Sequence, residues 1–304
     1  MDLLSSSNVF LHIMRLTAFL AILIVTISLP SCGEGGNSTY NINTEDLAQE
    51  AIEDFENYRL KITLVDSQVL EFPSPVELAQ NYKNSGMKFI PGITNPALNY
   101  QNYHTHSQKA LNFGVYSADL SYCVLNDMGQ CASEYLMSMQ TLSHDIGLSE
   151  IFKYEVLATD FTESLGNQDS MTQMVYSIQE DLDATLRKNG IQERAILFYT
   201  GAWVESAYLA FNSQSSYSNT VEPATMEHLS NQLDMLGDIN EQLDQLSSKT
   251  SEIRALEIQL NEFEELTNSI RVTQMEDSII LNPNDLAKIR GKVETIRDQI
   301  VAIR

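Results

Sequence analysis

Between Leu111 and Tyr122 the chain reads L-N-F-G-V-Y-S-A-D-L-S-Y, a helical stretch that sets small, aromatic and acidic side chains together on apolar faces. The region from Pro73 to Leu148 is organised around it. Tyr116, Asp119 and Tyr122 follow one another at three-residue steps, so all three lie on or near one helix face. Asp119 stands between Ala118 and Leu120, and a second acid, Glu205, stands between Val204 and Ser206, close to the single tryptophan, Trp203. A carboxylate taken out of water has to be paired, hydrogen-bonded or protonated. The sequence therefore nominates Tyr116, Asp119, Tyr122, Trp203 and Glu205 as site candidates, with two readings open. In one, the carboxylates line a polar pocket between two helices and bind a cation or a small polar ligand. In the other, tyrosine hydroxyls satisfy Asp119 and Glu205 in a buried network that sets helix register. Gly114 with Ala118, four apart, and Gly201 with Ala202 suggest closely approaching backbones, which favours the second reading.

Helical periodicity runs through nearly the whole chain. Thr44 can cap a helix carrying Leu47, Ala51, Ile52, Phe55 and Tyr58 at three- and four-residue steps. The run from Ile62 to Phe72 is read as helix fraying into loop, because a lone strand there would have no partner. Ser74-Pro75-Val76-Glu77 is a strong start signal, a serine cap with proline next and glutamate placed to close a capping box. That helix stops at Gly86. Further helices are expected from about Tyr100 to Asn126, from Gln130 to Asp145 ending at Gly147, from Ile151 to Glu163, from Asp169 to Asn189, and from Ile191 to Asn212. Ser213 to Thr220, S-Q-S-S-Y-S-N-T, reads as a linker.

Beyond it lie three apolar stripes. They are Met226, Leu229, Leu233, Leu236 and Leu243; then Ile253, Leu256, Leu260, Phe263 and Ile270; then Leu286, Ile289, Val293, Ile296, Ile300 and Ile303. Steps of three and four are the seam of helices packing side by side. The fold class expected is all-α, a non-repetitive multi-helix array or bundle with a C-terminal long-helix hairpin packed on it. No fixed repeat period is visible.

The amino-terminal end carries an address. Leu16 to Leu29 is an almost unbroken apolar run after a short leader, too short for the roughly 20 residues of a bilayer span but suited to a signal-peptide core. It ends in Leu29-Pro30-Ser31-Cys32, which resembles a bacterial lipobox, although Pro30 is a less usual occupant. On that pattern residues 1–31 are a lipoprotein signal peptide and Cys32 takes the lipid. Residues 32–43 are a flexible tether, 44–212 a helical core region, 213–221 the linker and 222–304 the C-terminal hairpin. A multiply acylated terminus anchors stably where one chain would not.

The formal net charge of -23 disfavours nucleic acid and anionic lipid surfaces, which are bound through clusters of Lys and Arg. The membrane is therefore expected as a partner through the lipid on Cys32 alone. A protein partner or small ligand is left unspecified.

Four segments carry a resemblance. Phe72 to Phe89 (F-P-S-P-V-E-L-A-Q-N-Y-K-N-S-G-M-K-F), Lys109 to Tyr122 (K-A-L-N-F-G-V-Y-S-A-D-L-S-Y), Leu142 to Leu148 (L-S-H-D-I-G-L) and Gly201 to Tyr208 (G-A-W-V-E-S-A-Y) resemble a group of helical lipoproteins of Bacteroidetes-type bacteria. Order and approximate spacing agree from Pro73 to Phe211. The resemblance implies an all-helical fold and an envelope location, and no activity. Ser117 stands where that motif commonly has glycine, which implies a slightly looser helix contact. Cys123 and Cys131 do not belong to the motif.

Catalytic patterns are missing. The chain has no H-E-x-x-H, no Glu-x-x-His pair for a helical dimetal site, no G-x-S-x-G elbow and no phosphate-cradling or dinucleotide glycine loop. His104 and His106 are two apart and point to different sides of a helix, and His144 stands beside Asp145. No metal or cofactor is expected. Cys123 and Cys131, eight apart across a turn at Asp127 to Gly129, are candidates for a disulfide in an oxidising compartment. The expectation is a non-enzymatic, outer-membrane-anchored envelope lipoprotein, on the periplasmic face or the cell surface. The alternative is a small-ligand or cation binder using the Tyr/Asp/Glu cluster.

Overall fold

The structure, a computed structural model, describes residues 59–63, 69–152, 164, 167–189, 192–213, 223–274 and 283–302. The expected leader, tether and first helix lie outside the described residues, as do the linker beyond Ser213 and nearly all of the helix expected from Ile151 to Glu163. Among the described residues the fold is all-α, with nine α-helices and one small antiparallel hairpin.

That hairpin is a correction to the expected helix fraying into loop. Strand β1 (Arg59–Thr63) pairs with β2 (Val69–Pro73), Arg59 opposite Pro73 and Thr63 opposite Val69. Two short runs rich in Ile, Val, Leu and Thr fold back so that each is the other's partner. Phe72 is buried and its ring stacks on Tyr199 at 3.9 Å between centroids, which fastens the hairpin to the helices.

Helix α1 (Pro75–Asn84) starts as the sequence requires, with the Glu77 N–H donating to Ser74 Oγ at 3.2 Å and proline in the first turn. Gly86, at φ +86°, ends it. A short 3-10 helix (Ala97–Asn102) precedes α2 (His106–Leu125). The sequence periodicity merges the two from about Tyr100, but Thr105 opens a fresh helix. Its hydroxyl accepts from the Gln108 N–H while the Gln108 side chain accepts from the Thr105 N–H, a complete capping box.

Asp127, at φ 61°, breaks the chain between α2 and α3 (Gly129–Asp145). Here Cys123 and Cys131 are joined by a disulfide with a Cα separation of 5.8 Å. Gly147, at φ +77°, ends α3. Helices α4 (Gln168–Asn189) and α5 (Gln192–Ser213) follow. The C-terminal part comprises α6 (Pro223–Asp234), α7 (Leu236–Asp244), α8 (Ser251–Gln274) and α9 (Pro283–Val301).

Two helices occupy the centre. Every residue of α2 from Ala110 to Leu125 is buried, and so is every residue of α5 from Ala195 to Ala207. A helix apolar on all sides must be wrapped by others, and α1, α3, α4 and α9 wrap this pair. Among the described residues the contact between α2 and α5 is the most extensive. It is made by glycine: a Cβ on Gly114 would overlap the Phe198 carbonyl, and one on Gly201 would overlap the Leu111 carbonyl. Gly114 meets Phe198 and Ala202, and Asp119 meets Glu205 further on, so the two helices run in the same direction.

The described members of all three C-terminal stripes are buried. Helices α8 and α9 pack together as the expected hairpin, and α9 lies on α5 and α2. No helix among the described residues is long and apolar enough to cross a membrane.

Close backbone contact makes these glycines irreplaceable while others are not. Gly114→Ala and Gly201→Ala should each lower stability to urea by at least about 2 kcal/mol, because backbone cannot yield as a side chain does. Gly291, inside α9, has nothing within 4 Å of an added Cβ. Gly291→Ala should raise stability by about 0.5 to 1 kcal/mol through helix propensity.

Candidate functional site

The close approach of α2 and α5 brings the two singled-out acids together at the centre of the fold. Asp119 and Glu205 are each 0% exposed. Both carboxylates are out of bulk water and need partners within the fold. For Glu205 the partner is Arg297 of α9, which donates from Nε to Oε2 at 2.8 Å and from an Nη to Oε1 at 3.0 Å. Two parallel bonds from a planar guanidinium are the strongest fit a carboxylate has. The guanidinium also lies over the Tyr208 ring, 4.1 Å from its centroid. Burial works against the charge on Arg297, but the Glu205 carboxylate beside it prevails and holds the guanidinium above its usual range.

Asp119 is held differently. Its Oδ2 accepts from the Asn95 N–H at 3.2 Å, and Oδ1 receives no donor. Asp119 also lies near Glu205, and two carboxylates close together out of water favour a proton on one of them. Burial first, and the negative charge on Glu205 second, push the Asp119 carboxyl well above the usual carboxylate range; the Arg297 charge opposes them without cancelling them. Glu205 is gripped by Arg297, and burial beside that carboxylate favours the protonated form of Asp119. The centre is two acids and a guanidinium, drawn from three helices.

The tyrosines serve the loop before α2, not the acids. Tyr116 donates from its hydroxyl toward the carbonyls of Pro96 and Ala97, at 3.2 and 3.1 Å. The Tyr122 hydroxyl accepts from the Ile90 N–H at 2.8 Å. Tyr135 of α3 donates to the Asn95 carbonyl at 2.8 Å, and the Asn95 side chain donates to Tyr103 at 2.9 Å. Burial pushes the Tyr116 and Tyr135 phenols above their usual range, so both remain donors. The expectation of hydroxyls bonded to Asp119 and Glu205 is thus corrected: tyrosines fix residues 90–97, and that loop presents the Asn95 N–H to Asp119.

Trp203 is separate from this centre. Its Nε1–H donates to the Gln232 carbonyl at 3.0 Å, the Gln232 side chain returns a bond to the Trp203 carbonyl at 3.0 Å, and its ring packs near Phe263. It joins α5 to α6 and α8.

Two functional groups escaped the sequence reading. Arg297 left a trace: it lies four residues after Val293 and three before Ile300, a charge set on an apolar stripe. Asn95 left none, because it acts through its backbone N–H from an irregular loop. His104, His106 and His144 are exposed. Among the described residues no group of three or more His, Cys, Asp or Glu is arranged to hold a metal ion. Comparison with protein-family models, curated proteins and solved structures finds no match for this chain.

Arg297 and Asp119 should respond differently to substitution. Arg297→Met leaves the Glu205 charge buried without its partner and should cost about 3 to 5 kcal/mol in urea unfolding. Asp119→Asn keeps a neutral hydrogen-bonding group and should not lower stability at neutral pH. The folded pKa of Asp119 is raised, so its stabilising contribution is complete below about pH 4 and is lost as pH rises toward that folded value. The advantage of Asp119→Asn over the native sequence should therefore grow on raising pH from about 4. A difference flat in pH would show that Asp119 does not hold the proton.

Proposed function

We propose that the protein is a non-enzymatic, lipid-anchored component of the cell envelope that supports or binds a protein partner, with the buried acid–arginine centre serving its fold. The observation that carries the non-enzymatic part is the closure of that centre. Asp119 and Glu205 are wholly buried, Asp119 engaged by the Asn95 N–H and Glu205 by Arg297. A general acid or base must touch its substrate, and here the helices would first have to part. The same closure weighs against the cluster as a cation or small-ligand pocket.

Anchoring rests on the sequence. Leu29-Pro30-Ser31-Cys32 follows an apolar core of signal-peptide length, and the polar, glycine-rich residues after Cys32 suit a tether. Such an anchor holds an acidic body at the outer membrane, at the periplasmic face or the cell surface, without basic residues for the lipid.

Expression in a diderm bacterium tests the anchor. The native chain should fractionate with membranes and carry diacylglycerol on Cys32 by mass spectrometry, and Cys32→Ser should leave the precursor unprocessed. A native chain that is soluble and unmodified at Cys32 would overturn it. Hydrolytic or group-transfer activity abolished by Asp119→Asn would overturn the non-enzymatic assignment.

A further inference from the structure

From Phe89 to Gln108 the chain carries no Asp, Glu, Lys or Arg, and the first charges on either side are lysines, Lys88 and Lys109. With 41 acidic residues in the chain, a loop of that length without one stands apart. It lies at the surface: Pro91, Pro96 and Leu98 are exposed, and Ile93 and Tyr100 are half-buried. Leu98, at 71%, and Met137 of α3, at 65%, are the two most exposed large apolar side chains among the described residues. They flank a single hydrogen bond, from the Ser138 hydroxyl to the Ala97 carbonyl at 2.9 Å, which brings them into one region of surface. The loop cannot fold them away. Tyr116 holds the Pro96 and Ala97 carbonyls, Tyr135 the Asn95 carbonyl and Tyr122 the Ile90 N–H. A surface already fixed in this way loses little conformational freedom when it docks.

Apolar side chains held outward on a rigid, uncharged surface suit an apolar medium. We infer that this face rests on the lipid bilayer, with Leu98 and Met137 entering the boundary between headgroups and acyl chains. The inference rests on the lipid anchor at Cys32 proposed above and adds which face of the body turns to the membrane. Charge favours lipid over a second copy of the chain. Two copies would each bring a net charge of -23 to their contact, whereas a zwitterionic bilayer meets the face that has fewest carboxylates to desolvate. Tyr100, half-buried beside Leu98, is the residue type that settles at headgroup level. Two apolar side chains alone bind a bilayer weakly, but the anchor makes the encounter intramolecular, so a weak face suffices. Exposed Glu134, about one turn before Met137 on α3, suits the face to zwitterionic rather than anionic headgroups.

The test uses the full chain, lipidated at Cys32 and reconstituted on phosphatidylcholine vesicles. Cys123 and Cys131 are joined to each other, so a cysteine introduced by Leu98→Cys, Met137→Cys or Ile258→Cys can take a fluorophore. Ile258 is 57% exposed but stands among the charges of α8. A nitroxide-labelled phosphatidylcholine should quench the labels at positions 98 and 137 about twofold or more, as for groups held within several ångströms of the acyl boundary, and leave the label at 258 unquenched. Adding Met137→Glu to Leu98→Cys should abolish quenching at 98, because a carboxylate resists entering lipid. A chain that does not float with the vesicles defeats the anchor, and this inference with it. A chain that floats with labels 98 and 137 unquenched, with 258 quenched equally, or with quenching indifferent to Met137→Glu overturns the inference and leaves the anchor standing. A label at 98 shielded from solvent but untouched by nitroxide lipid indicates a protein occupant, a second copy or another chain, and overturns it as well.

Discussion

The contact between the backbones of α2 and α5 is the constraint on which the rest of the structure depends. Gly114 and Gly201 let each helix rest on a carbonyl of the other, with no side chain between. Such closeness commits both helices to the interior, because neither keeps a face for water. Their remaining faces are then covered by the surrounding helices, and the β hairpin closes over α4 and α5. Ala118, Ala202 and Ala207, buried on the same two helices, are the residue types that such closeness admits.

Closeness also decides the electrostatics. Asp119 and Glu205 arrive side by side in a place without water, where two negative charges cannot both persist. Arg297 reaches the pair from α9, a helix 92 residues further along the chain from Glu205. A buried ion pair adds little beyond what apolar packing would provide, but each member left alone is costly. Its effect is therefore selective: the arrangement in which α9 sets Arg297 on Glu205 and Tyr208 is favoured over any that slides the hairpin along the core.

Much of this was legible one element at a time. The cap at Ser74, the glycine stops at Gly86 and Gly147 and the three C-terminal stripes are local signals, and local signals survive without knowledge of neighbours. The small residues of α2 and α5 already pointed to close packing. The strands were not legible as strands, because each looked partnerless until the other folded onto it. Nearness in sequence to Glu205 groups Trp203 with the acids, but residues two apart on a helix face different directions, and its indole belongs to α6 and α8.

What the sequence by itself determined is the all-helical class, the placing of most helices, and the requirement that Asp119 and Glu205 find partners. Helix periodicity and desolvation act within a few residues, so they can be read from a string. Only the tertiary structure decided who those partners are. The arginine that grips Glu205 and the loop amide that meets Asp119 join residues distant in sequence. No local pattern encodes such pairings, because they exist only after the backbones have met.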